Sequence, residues 1–278
     1  MPANKDLKRL IRARAAKTGE SYSDGAPTRP ARWHGKRPVM QFDTSVGDDG
    51  RRLVVAIDPP ADYLHMLVRN MDFQLDATDR LVWEYPAHAP GWDTAARNWG
   101  RYGPEMLDQI HGVAPVEWEP GLRWIADILD GISADWFLIG SASLAVRGMD
   151  VRPGGVDVAM DEASADLLAP HVESGVMRPI VDPGDWPVAT RWGRLFHTCI
   201  IEVIGGMHEQ TFPRPWDAAS RADLDTVEWE GRAIRVPNLQ RMLLQARGMF
   251  RNDHVRAILA HRARTGAAAR PGEPSSAE

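Results

Sequence analysis

The run WFLIGSASLAVRGMDVRPGGVDVAM, residues 136–160, constrains the fold more than any other part of the chain. It opens with WFLIG at 136–140, a continuous apolar stretch ending in glycine, the pattern of a buried strand closed by a turn. SASLAVRG at 141–148 then reads as a short helix, and GVDVAM at 155–160 as a second strand bounded by Pro153-Gly154. A chain that alternates strand, helix and strand must bury a sheet against helices, so the expected class is α/β (α+β) with a mixed sheet and flanking helices.

The rest of the C-terminal half fits this class. DEASADLLAPHV reads as a helix capped by Asp161, and LFHTCIIEVIGG at 195–206 as the longest strand in the chain. Val227 to Val236 reads as a hairpin turning at Glu230-Gly231. From Pro237 a helix is expected through Leu239, Met242, Leu243 and Ala246, broken near Gly248 and resuming through Val255, Ile258 and Leu259. These elements place one domain at 132–264, with a disordered tail at 265–278.

The N-terminal half has a different texture. Residues 1–22 contain a basic amphipathic helix over 5–17, with Leu7, Leu10, Ile11 and Ala15 opposite Lys8, Arg9, Arg12 and Lys17. Residues 23–50, rich in Gly, Pro, Arg and Asp, read as a linker or irregular segment. Residues 51–131 read as mostly helical: a short strand at 52–57, then helices from Asp58 through Leu64, Leu67, Val68, Met71 and Leu75, from Thr94 to Ile110, and from Pro120 to Leu129.

Composition excludes several classes. At 278 residues, 44% hydrophobic and 26% charged, the chain is globular rather than disordered. It has no apolar run of membrane-spanning length and no signal-peptide core at its start, so a cytoplasmic location is expected. One cysteine, Cys199, permits no internal disulfide, and its apolar neighbours predict a buried thiol. Residues 1–37 hold ten Lys and Arg against three acids while the whole chain carries −5. Positive charge is thus local, and binding to RNA or an acidic protein is expected only through residues 5–17. The eleven tryptophans are irregularly spaced, which favours core packing over a base-stacking platform.

Chemistry is expected at the Gly140-Ser141 turn. A strand-to-helix junction leaves backbone N–H groups unpaired, and Ser141 adds a hydroxyl, so a phosphate could sit there with Arg147 and Arg152 supplying charge. The succession of strand, Gly-Ser, short helix with Arg-Gly, Arg-Pro-Gly turn and Asp-bearing strand resembles the DNA polymerase beta-like nucleotidyltransferase superfamily. Its small bacterial members, among them minimal and antibiotic nucleotidyltransferases and abortive-infection toxins of toxin-antitoxin systems, are the nearest in pattern. The resemblance covers roughly Trp136 to Arg262.

That resemblance implies a nucleotidyltransferase-like mixed sheet, with the phosphates of a nucleoside triphosphate at Gly140 and Ser141. It implies two carboxylates at i and i+2 on the next strand and a third on a neighbouring strand, together holding magnesium. Residues i and i+2 of a strand share a face, so such a pair can bridge two ions about 3.5–4 Å apart. Here Asp157 matches the second carboxylate and Glu202 the third, whereas the first position is Gly155. Asp150 lies beyond the turn, where a loop could fold it inward to substitute, and Asp161, about 13 Å along an extended strand from Asp157, is not a natural replacement. Two readings follow: a magnesium-dependent transferase moving a nucleoside monophosphate from a triphosphate to a hydroxyl on RNA, protein or a small molecule, or a degenerate pseudoenzyme that binds a nucleotide or protein partner without turnover. If only one ligand has been lost, Gly155→Asp should restore it without repacking the core.

Other signals are thinner. His197, His208 and His254 lack metal-ligand spacing; Arg247, Arg251 and Asp253 stand on the helix where the resemblance implies basic residues near the nucleotide, and a solvated face accounts for them almost as well. Walker, GxSxG and dinucleotide fingerprints are missing from the sequence.

Overall fold

The computed structural model describes residues 39–47, 50–58, 71, 73–76, 78, 80–85, 91–110, 112–184, 189–207, 224–248 and 251–268. The amphipathic helix expected at 5–17 and the segment 269–278 lie outside the described residues, as does most of the helix expected after Asp58.

The C-terminal half is built on a mixed five-stranded sheet. Its strands are β5 (Trp136–Ile139), β6 (Val156–Met160), β7 (Val176–Val181), β8 (Ala189–Phe196) and β9 (Ile200–Met207), in the order β5-β6-β9-β8-β7. β6 and β9 run parallel and the other pairs antiparallel. The expected α/β mixed sheet with flanking helices is what forms.

Alternation on these strands sorts side chains onto two faces. Leu138, Val156, Val158, Met160, Leu195, Ile201 and Val203 join the main core. Against them pack Leu122, Ile125, Ala126 and Leu129 of α2 (Trp118–Gly131), and Ala165 and Leu168 of α4 (Glu162–Leu168). The opposite face holds a smaller cluster of Phe137, Ile139, Ala159, Ala189, Trp192, Ile204 and Met207. Helix α3 (Gly140–Ala145) follows β5 with no loop between them. Asp161 caps α4 as expected, its Oδ1 accepting from the Ser164 N–H at 2.6 Å.

The hairpin of β10 (Leu224–Trp229) and β11 (Arg232–Pro237) turns at Glu230-Gly231, both with positive φ. It packs beside β5 and is held by ion pairs of Arg232 with Asp127 and Asp130, and of Arg235 with Asp135. Asn238 then accepts from the Arg241 N–H at 2.9 Å and starts α5 (Leu239–Gly248), which α6 (Asn252–Ala268) follows. Helix α6 runs past Thr265, where the disordered tail was expected to begin.

The N-terminal half differs from its expected description. Residues 23–50, read as irregular, contain β1 (Val39–Gly47). Residues 51–131 contain strands besides helices: β2 (Gly50–Asp58), β3 (Gln74–Leu75) and β4 (Leu81–Tyr85) form with β1 an antiparallel sheet ordered β1-β2-β4-β3. Leu75, read as part of a helical stripe, stands in β3 and is exposed. The two long helices appear as α1 (Trp92–Ile110) and α2. Phe73, Trp83, Tyr85, Trp92 and Trp99 form a buried aromatic cluster with neighbouring ring centroids 4.9–6.5 Å apart. From this cluster α1 reaches the larger sheet: Asn98 Nδ2 donates to the carbonyls of Glu173 and Val176, and Trp99 Nε1 to that of Met177. Among the described residues no helix is long and apolar enough to cross a membrane.

Candidate functional site

Register places a row of four charged residues across the sheet. Arg178 of β7 pairs with Arg194 of β8, Arg194 with Glu202 of β9, and Glu202 with Asp157 of β6. Cross-strand partners share a face, so all four stand on the side of the smaller cluster. Asp157 and Glu202, on different elements of the sequence, are thereby brought side by side. Asp157 is in turn opposite Ile139, the residue before the Gly140 turn.

Gly140 is glycine for two physical reasons. Its φ of +69° lies in the left-handed region, and a Cβ there would fall 2.2 Å from Asp157 Oδ2. The turn therefore lies directly against the Asp157 carboxylate. Ile139, the residue before α3, makes no side-chain cap hydrogen bond, and Ser143, not Ser141, hydrogen-bonds back to the Gly140 carbonyl, at 2.6 Å.

Glu202 is committed to Arg194. Arg194 Nη2 donates to Glu202 Oε1 at 2.9 Å and Nε to the same oxygen at 3.2 Å, and each residue is only 4% exposed. A carboxylate this deep costs several kcal/mol to bury alone, and the guanidinium offsets that cost. Both arginines also lie over the Trp192 ring, Arg178 at 4.2 Å and Arg194 at 5.3 Å from its centroid. Two guanidiniums and two carboxylates leave the row close to neutral.

The remaining expected residues fall elsewhere. Arg147 is drawn to the hairpin, where Nη2 pairs with Asp225 at 2.6 Å and donates to the Pro237 carbonyl at 2.9 Å. Arg152 and Asp150 are exposed in the loop before β6. Asp161 is occupied as the cap of α4. Gly155 precedes β6, and a Cβ there would lie 2.6 Å from the Ile200 carbonyl oxygen. An aspartate at 155 cannot enter without moving backbone, which corrects the expectation that Gly155→Asp leaves the packing untouched.

A two-ion magnesium site does not fit these residues. The first carboxylate is missing, its position is closed by the Ile200 carbonyl, and the third carboxylate is held by an arginine. Among the described residues no group of three or more His, Cys, Asp or Glu could hold a metal ion.

Three further surroundings complete the site. Cys199, in the turn between β8 and β9, is fully buried, and burial together with the charge of Asp157 pushes its thiol up to about 12. Between α3 and the C-terminal helices lies a cleft lined by Gly140, Ser143, Gln245, Arg251 and His254 among others, in which Arg251 Nη2 lies 2.7 Å from His254 Nε2. His197 stacks on Trp124 in the β8–β9 turn, and burial lowers its titration. His208 lies outside the described residues.

Sequence reasoning missed Arg194, Arg178 and Trp192 because β7 and β8 were not expected. The signal was present in ATRWGRLF, where Thr190, Trp192, Arg194 and Phe196 alternate with Ala189, Arg191, Gly193 and Leu195. The apolar run around Glu202 also demanded a partner for that carboxylate.

No protein-family model and no curated protein matches this chain. Among solved structures the chain is similar to one titled a "putative nucleotidyltransferase" from Thermotoga maritima, with 19% identity and a TM-score of 0.37, covering 55% of this chain and 95% of that one.

Proposed function

We propose that this chain is a catalytically degenerate, nucleotidyltransferase-like module that binds a nucleoside triphosphate beside the Gly140 turn without transferring its nucleotidyl group. The observation that carries this reading is the buried Arg194–Glu202 pair at 2.9 Å. A carboxylate that must bind metal and accept a proton has to be available to both, and Glu202 is neutralised within the protein. Binding at the turn is supported by the half-buried Gly140 and Ser141 and by the adjoining cleft with Arg251. The near-neutral row removes the need for a metal ion to offset paired carboxylates.

One observation favours the transferase reading. Asp157 and Glu202 are register partners beside Gly140, the arrangement that the resemblance implies for a working site.

The two separate experimentally. Calorimetry with each of the four triphosphates tests binding, and incubation with radiolabelled triphosphate and RNA, protein or small-molecule acceptors tests transfer. Binding without labelled product supports the module. Labelled product from the wild-type chain, lost in Glu202→Gln, establishes the transferase instead, and heat from none of the triphosphates removes both.

A further inference from the structure

The C-terminal helices concentrate charge, of which only Arg251 lines the cleft of the candidate site. Residues 239–268 hold six arginines, Arg241, Arg247, Arg251, Arg256, Arg262 and Arg264, against one acid, Asp253. That is +5 in a chain of net −5, so the remaining residues carry −10. Segregation of this degree creates a directional field rather than a mixed, self-neutralising surface.

Four of the six charges face water. Arg247, Arg256, Arg262 and Arg264 are exposed, while Met242, Leu243, Ala246 and Ile258 bury the inner sides of the two helices. Asp253 is taken by Arg251 at 3.6 Å, and Arg262 donates to the neutral Gln240 at 3.4 Å. The field is felt locally: His261 is held below its usual range by burial and then by Arg264 and by Arg147, which approaches from the end of α3.

The surface is suited to phosphates and not to bases. Neither α5 nor α6 contains Phe, Tyr or Trp, and the rings they do carry are the imidazoles of His254, which is buried, and His261, which is half-buried, so little ring face is offered to an unpaired base. Arg256 and Arg264 are about 12 Å apart along the axis of α6 at 1.5 Å per residue. A nucleic-acid strand presents one charge per about 3.4 Å, so this span faces three or four phosphates.

We propose that the α5–α6 pair is a binding surface for the phosphate backbone of a duplex nucleic acid, read without regard to sequence. The proposal stands apart from nucleotide binding at Gly140 and holds whether or not that site is occupied.

The test is fluorescence anisotropy of the full chain with a labelled RNA duplex, a DNA duplex and a single strand, each of about 20 nucleotides per strand. Four phosphate contacts predict a slope of about −3.6 in log K against log salt, hence roughly a hundredfold loss of affinity between about 50 and 200 mM salt. Arg256→Glu with Arg262→Glu and Arg264→Glu should weaken duplex binding at least about tenfold with an unchanged circular-dichroism spectrum, because three of those contacts are reversed. If that variant does not fold, Arg256→Gln alone should flatten the slope by about 0.9. Lys8→Glu with Arg9→Glu and Arg12→Glu should keep most of the affinity. Equal affinity for RNA and DNA duplexes supports recognition of phosphate alone, and preference for one identifies its source. The proposal is overturned by no duplex binding at low salt, by tighter binding of the single strand, or by affinity that follows the N-terminal rather than the α6 substitutions.

Discussion

Gly140 and Asp157 are in contact through an atom that glycine lacks: a Cβ at position 140 would lie 2.2 Å from Asp157 Oδ2. The turn that opens α3 and the carboxylate on β6 are therefore one structural unit. Gly140→Ala should be costly twice over, through its φ of +69° and through displacement of Asp157. The left-handed backbone alone costs an alanine roughly 1–2 kcal/mol, so chemical denaturation should show a loss of at least about that size, and calorimetry should show weakened triphosphate binding.

The Arg194–Glu202 pair makes a second prediction. Removing one partner leaves a buried charge uncompensated, so Arg194→Met and Glu202→Leu should each destabilise by about 3–5 kcal/mol. The double variant should recover most of that loss, and a double-mutant cycle in urea measures the coupling. Additive effects would show that the two side chains do not depend on each other.

Cys199 should be inert. Its thiol titrates near 12 because it is buried and faces the charge of Asp157, so an alkylating reagent at neutral pH should label it only after denaturation. The raised value also has a sign. At a pH between the two values the folded thiol keeps its proton while the unfolded thiol, ordinarily near 8.5, has lost it. Cys199 therefore contributes stability that is complete below the unfolded value and falls as pH rises through the window up to about 12. Cys199→Ala should flatten that alkaline decline in denaturation midpoints.

Gly155→Asp should not restore a metal site. The new Cβ meets the Ile200 carbonyl oxygen at 2.6 Å, and Glu202 remains held by Arg194. Lower stability than wild type and no gain in labelled product are expected, measured by thermal unfolding and a radiolabel assay.

Where the hydrophobic period was strong, the sequence was legible. The apolar runs of β5 and β6, the Asp161 cap and the Glu230-Gly231 hairpin are local signals, each set by residues within a few positions. The run LFHTCIIEVIGG misled because its continuous apolarity conceals a reversal: β8 ends at Phe196 and β9 begins at Ile200. Leu75 misled because a helical spacing of Leu, Val and Met is also available to a strand end. Asp157 and Glu202 could be picked out singly, but the partner of Glu202 depends on the pairing of β8 with β9. Strand order is a non-local property that no window of sequence contains.

The central claim is that Arg194, rather than a bound ion, balances the carboxylates of the site. Calorimetric titration of the wild-type chain with ATP, once with magnesium in excess and once with a chelator, tests it directly. Affinities within about tenfold of each other, a difference below roughly 1.4 kcal/mol, are the predicted result. Binding seen only with magnesium, together with formation of nucleotidyl product, would contradict the account and return Glu202 to the role of a metal ligand.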